Sequence, residues 1–103
     1  MIVDSGRTVI TSAVHAWAEA EPTRLAWLAN CLGRHLAGDW GDLDADDRAA
    51  NDAAVRQNRG RLLSAYRVPA PLDRTTVEAQ LWVITDDLED SDTATTMLFP
   101  SDY

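Results

Sequence analysis

The chain has 103 residues, seventeen acidic and nine basic side chains and a formal net charge of −8; that length suits one domain, spanning 1–103, with core enough to need no staples. The charge argues against direct binding of nucleic acid or an anionic membrane, and no apolar run approaches the roughly 20 residues that cross a bilayer. All nine basic residues are Arg, and the absence of Lys removes the P-loop, Schiff-base and serine–lysine chemistries together.

The first half reads as helix. Over 11–20, Val14, Trp17 and Ala18 recur at three- and four-residue spacing, with Ile10 one turn earlier. Pro22 suits the first turn of a second helix, where its missing amide costs nothing. Leu25, Leu28, Ala29, Leu32 and Leu36 then form one stripe, and Gly38 is the expected left-handed stop. The stretch 38–47, GDWGDLDADD, is a loop into a third helix, with Asp44 as N-cap and Asp47 three residues on, as in a capping box. That helix runs through Ala49, Ala50, Ala53, Ala54 and Val55 and ends at 58–60.

Beyond Gly60 the apolar period changes from 3.6 to 2. RLLSAYRV (61–68), QLWVITD (80–86) and TATTMLF (93–99) read as strands, joined by a long link at 69–78 and a polar turn at 87–92. The expected fold is α+β: three N-terminal helices, about 8–58, packed on a C-terminal three-stranded antiparallel sheet, about 61–100. Alternation assigns Leu63, Ala65, Leu81, Val83, Met97 and Phe99 to one face. It assigns Leu62, Tyr66, Val68, Trp82, Ile84 and Leu98 to the other. Helices cover one face. The second is either covered by the N-terminal segment or the 69–78 loop, or left as a partner or self-association surface centred on Tyr66, Trp82 and Ile84.

Cys31 is the single cysteine, so no internal disulfide forms, and with no signal peptide in view the expected compartment is a reducing cytoplasm. Cys31 and His35 stand four apart on one helix, the spacing of a thiolate–imidazole pair or half a metal site. The only other histidine is on a different helix and there is no second cysteine, so the pair reads as a small buried Cys beside a surface His. Two acidic runs invite a calcium-loop reading. From Asp42, the sixth and twelfth loop positions hold Asp47 and Ala53 where Gly and Glu are required, and the run at 86–92 fails equally. No metal, cofactor or catalytic residue is therefore expected, and the chain reads as a non-enzyme.

As a surface, the same acids have another use. Asp39, Asp42, Asp44, Asp46 and Asp47, with Trp40 among them, and Asp86, Asp87, Glu89, Asp90 and Asp92 form rows of carboxylates able to imitate DNA phosphates and enter a basic groove on a partner protein. The alternative is a merely solvated acidic surface. Trp40 is read as the plug that pins its loop, with an exposed anchor as the alternative. Trp17 and Trp27 are read as core or near-core.

The strings GDWGDL (38–43), RLLSAY (61–66), LWVITD (81–86) and TTMLFPSDY (95–103), in that order, resemble an uncharacterised family of small "plasmid-related" proteins carried on proteobacterial mobile elements. The resemblance covers about 25–103 and departs in the longer link at 69–78. It implies no reaction, cofactor or catalytic residue. It implies a neighbourhood, mobile DNA, in which small acidic proteins act as anti-restriction or anti-CRISPR antagonists of host defence. The implied partner is a CRISPR effector or restriction subunit with a basic surface. The alternative is a self-associating structural or regulatory module, a homodimer, built on the Tyr66, Trp82 and Ile84 face.

Overall fold

The computed structural model describes residues 6–70, 72 and 80–103. In chain order these form β1 (Arg7–Ile10), α1 (Ser12–Glu19), α2 (Pro22–Leu36), α3 (Ala45–Gln57), β2 (Leu62–Arg67), β3 (Gln80–Thr85), β4 (Ala94–Leu98) and a 3₁₀ turn at Pro100–Asp102. The sheet has four strands in the order β1-β4-β3-β2, with β2–β3 and β3–β4 antiparallel and β1 parallel to β4.

This corrects the expected three-stranded antiparallel sheet. Arg7–Ile10, which the periodicity assigned to the approach of the first helix, is the fourth strand. Its Thr, Val and Ile are β-branched and favour extended backbone. The Thr11 side chain accepts the Val14 amide at 3.3 Å, so the helix starts only after this cap. The extra strand makes the sheet mixed: the helices, β2 and β3 all intervene between it and β4, so no tight turn forces the two strands antiparallel.

The remaining boundaries follow the local signals. Pro22 opens α2 and Gly38 follows its end at φ +83°. Asp44 caps α3 by accepting the Asp47 amide at 2.8 Å, and Asn58 closes it in the left-handed region at φ +50°. Most of the 69–78 link lies outside the described residues.

Register decides which side chains share a face. Leu62 pairs with Thr85, Ser64 with Val83 and Tyr66 with Leu81, while Val83 pairs with Met97 and Ile10 with Met97. Leu62, Ser64, Tyr66, Leu81, Val83, Thr85, Thr95, Met97 and Ile10 therefore face the helices. Val14, Ala18, Leu28 and Cys31 come down on Tyr66, Leu81, Val83 and Met97 to make the main core, flanked by Trp17, Trp27 and Phe99. The expected faces were mis-assigned at β2. Its apolar content is nearly balanced between odd and even positions, so alternation gave no preference.

A similar correction applies to α2. Leu25 is 59% exposed, and the buried side chains are Leu28, Cys31, His35 and Leu36. The stripe is rotated from the leucines toward Cys31 and His35. His35 is no surface residue; it is fully buried.

Candidate functional site

The first acidic run sits on a loop that closes one edge of the sheet. β2 is an edge strand, and its outward backbone groups are met in turn. The Asn51 side chain donates to the Leu63 carbonyl at 2.7 Å and accepts the Leu63 amide at 3.3 Å. The Ala65 amide donates to the Trp40 carbonyl at 3.2 Å, and the Asp42 amide donates to the Ala65 carbonyl at 2.7 Å. Finally the Asp42 carboxylate accepts the Arg67 amide at 2.9 Å. An open edge is a template for unwanted pairing; here a loop and one asparagine occupy it from Leu63 to the Arg67 amide.

The loop is itself pinned. Trp40 is 4% exposed, its indole donates to Asp52 at 2.9 Å, and its ring meets His35 edge-on with centroids 5.7 Å apart. It is the plug, as expected. The Arg34 guanidinium grips both Asp39 oxygens, at 2.7 and 3.2 Å, and this hydrogen-bonded pair holds the Asp39 carboxyl below the usual range. Tyr66 donates its hydroxyl to the Asp39 carbonyl at 2.7 Å, under the Arg34 guanidinium at 4.6 Å. Arg48 donates to the carbonyls of Leu43 and Gly41 at 2.9 Å each. Gly41 runs at φ +75° against Tyr66, where a Cβ would overlap the Ala65 carbonyl oxygen.

The expected site residues therefore divide. Asp39, Asp42, Asp44 and Trp40 hold the loop together. Asp46 and Asp47, in the first turn of α3, are exposed and make no side-chain hydrogen bond or ion pair among the described residues. In the β3–β4 turn, Asp87 accepts the Glu89 amide at 3.0 Å and Asp90 accepts the Asp92 amide at 2.8 Å, the local bonds that make aspartate a turn residue. Glu89 pairs with Arg59 at 3.3 Å across an exposed contact. Asp86 and Asp92 are exposed and, like Asp46 and Asp47, unpaired among the described residues.

Capping and turn bonds leave the charges in place, and among the described residues only Asp39 and Glu89 of the two runs form an ion pair with an arginine side chain. The runs do not form one row, however. They lie at opposite ends of α3, whose thirteen residues span about 20 Å. Leu88 ties the second run to the far end through a 2.9 Å bond to the Gly60 carbonyl. Arg56, Arg59 and Arg61 stand at that same end. The surface is thus two separate acidic patches, each presenting unpaired aspartates.

The other expected surface is broken by the register. Tyr66 is 1% exposed and faces the helices, whereas Trp82 and Ile84 lie on the opposite face. Burial lifts the Tyr66 hydroxyl pKa to about 12. The far face is roofed in part by the C-terminal segment, which was not among the expected covers. Tyr103 meets Trp82 edge-on at 5.8 Å and lies under Arg61 at 5.3 Å. The Asp102 carboxylate accepts the Thr11 hydroxyl at 2.9 Å and the Phe99 amide at 3.0 Å, anchoring that segment. A groove of about 370 Å³ remains between Asn51, Arg61, Leu63, Trp82, Ile84 and Tyr103.

Sequence reasoning missed a polar chain in the core. His35 Nδ1 lies 2.6 Å from the Ser64 hydroxyl, His35 Nε2 lies 2.9 Å from that of Thr85, and Thr85 Oγ1 lies 2.8 Å from Thr95 Oγ1. All four residues are fully buried. A serine hydroxyl beside an imidazole has the composition of a nucleophile and its base. Here no substrate can reach it, and burial pushes the His35 pKa down to about 4, so the ring is neutral at pH 7. Cys31 is likewise sealed, its thiol pushed up to about 12 by burial. Among the described residues no three His, Cys, Asp or Glu side chains come together to hold a metal ion, and no described helix is long and apolar enough to cross a membrane.

Compared with known protein families, curated proteins and solved structures, the chain finds no match.

Proposed function

We propose that this protein is a non-enzymatic acidic binding protein that occupies a basic, nucleic-acid-binding surface on another protein, in the manner of an inhibitor of host defence carried by a mobile element. One observation carries the reading. Asp46 and Asp47 at one end of α3, and Asp86 and Asp92 near the other, are exposed carboxylates that no arginine among the described residues neutralises, on a chain of net charge −8. Two anionic patches about 20 Å apart suit a partner groove lined with Arg or Lys on both walls. The aspartates bound into caps and turns give those patches a fixed shape, so little ordering cost falls on association. The resemblance of the GDWGDL, RLLSAY, LWVITD and TTMLFPSDY strings to small proteins of mobile DNA supports the choice of partner class.

The test is competition. Tagged protein is used to capture nucleic-acid-binding proteins from the host at low salt, and duplex DNA or RNA is then added. The expected result is displacement of the captured protein by nucleic acid, and loss of capture by the variant D46N/D47N/D86N/D92N. Capture that nucleic acid does not displace, or that the variant retains in full, refutes the reading.

A further inference from the structure

The two edges of the sheet are treated differently. The β2 edge is closed by Asn51 and the 38–43 loop; among the described residues nothing closes the β1 edge. The Arg7 amide donates to the Thr93 carbonyl at 3.0 Å and the Thr11 amide to that of Met97 at 3.1 Å. These bonds set the phase of the parallel ladder, in which alternate residues bond to one side. Arg7, Val9 and Thr11 thus face β4, and Thr8 and Ile10 direct N–H and C=O outward. No described group meets those outward amides and carbonyls.

From this we infer that the β1 edge pairs with the β1 edge of a second copy of the chain, making one sheet of eight strands. The edge is self-complementary. A twofold axis at Val9 sets Thr8 opposite Ile10 of the second copy and Ile10 opposite its Thr8. Each pair exchanges two hydrogen bonds, four in all. Val9 then faces its own equivalent across the axis, in a closely spaced pair with Cα atoms about 4.5 Å apart. Val9 is 40% exposed, one of three large apolar side chains so exposed among the described residues, and it sits on the axis position.

Charge points to the same occupant. The twofold axis at Val9 also sets Arg7 of each copy opposite Thr11 of the other, whose hydroxyl donates to the Asp102 carboxylate at 2.9 Å. β1 itself carries Arg7 and no acid. Antiparallel pairing of two β1 edges thus brings the cation of each copy to the anion held at the end of the other's strand.

The inference stands apart from the acidic-surface reading, and salt separates the two. Dimerisation of chains of like charge strengthens as salt screens their repulsion, whereas binding to a basic partner weakens. The experiment is sedimentation equilibrium of the purified protein from micromolar to millimolar concentration, at low and high salt. The variants are Thr8→Pro and Val9→Lys. Thr8→Pro removes an outward N–H while leaving the bonds to β4 intact. Val9→Lys places two ammonium groups face to face. The expected result is a reversible dimer for the parent, tighter at high salt. In each variant the dissociation constant rises at least about tenfold, since two hydrogen bonds are lost across the axis or a like-charge pair is created. Amide exchange of Thr8 and Ile10 in the parent provides a reading that needs no variant: protection should rise with protein concentration. A parent monomeric at millimolar concentration, a dimer equally tight in both variants, or exchange at Thr8 and Ile10 indifferent to concentration overturns the inference.

Discussion

Lowering the pH should destabilise this protein through one residue, His35. Its ring nitrogens are both engaged by hydroxyls, Ser64 at 2.6 Å and Thr85 at 2.9 Å, so neither ring partner is a carboxylate. Protonation would bury a cation with no anion beside it. Burial therefore depresses the folded-state pKa to about 4, against an unfolded value near 6.5. Between these values the unfolded chain binds the extra proton, so stability rises with pH. The contribution is complete above pH 6.5 and disappears as the pH falls through about 4. At 1.36 kcal/mol per unit, a separation of some 2.5 units amounts to about 3 kcal/mol, an upper figure for a residue this buried. The carboxylates act the other way at first, since losing negative charge from a chain of net −8 relieves repulsion. The histidine term is thus read as a difference. Urea unfolding of the parent and of His35→Gln, followed by tryptophan fluorescence from pH 7.5 to 4.5, should give curves that converge as the pH drops. The parent should lose about 2 kcal/mol more than the variant across that range. Parallel curves would show that His35 does not change its protonation on unfolding and would refute the argument.

Three further outcomes follow from the loop and the core. Asn51→Ala strips both side-chain bonds from Leu63, and should lower unfolding free energy by about 1–3 kcal/mol in urea denaturation, with Thr8 and other β1 positions unaffected by amide exchange. Gly41→Ala places a Cβ against the Ala65 carbonyl at a positive φ, and should cost more than about 2 kcal/mol or prevent folding, which circular dichroism on heating will report. Cys31 should resist a thiol reagent in the native protein at pH 8 and react fully in denaturant; rapid native labelling would contradict its burial and raised pKa.

Much of the architecture was legible in the sequence because its signals are local. Pro22, Gly38, Asp44 and Asn58 mark helix ends by backbone chemistry that needs no distant partner, and the three C-terminal strands are short runs of β-branched, aromatic and apolar residues between turn signals. β1 was hidden for the opposite reason. Four residues with an exposed pattern carry no alternation to read, and the strand exists only because β4, at the far end of the chain, offers it an edge. The faces of β2 were equally undecidable locally. Leu62 and Tyr66 balance Leu63 and Ala65, and the polar Ser64 reads as an outward residue until His35 supplies a buried partner. That histidine was misplaced because an imidazole on an amphipathic helix is ordinarily read as polar surface, and only its contacts with two strands reveal otherwise. Trp40 as a plug was legible from its setting between glycines and aspartates. The division of labour among the aspartates was not. Asp42 closing a strand edge and Asp46 facing solvent are the same residue type in the same run, and only the backbone they approach distinguishes them.

The central claim is that the unpaired aspartates at the two ends of α3 are displayed for a basic partner. Its most direct measurement is the affinity for the captured partner as a function of salt, for the parent and for D46N/D47N/D86N/D92N. The account predicts a steep fall of affinity with rising salt in the parent, and in the variant weaker binding with a shallower slope. A salt-independent affinity, or identical slopes for the two proteins, would contradict it.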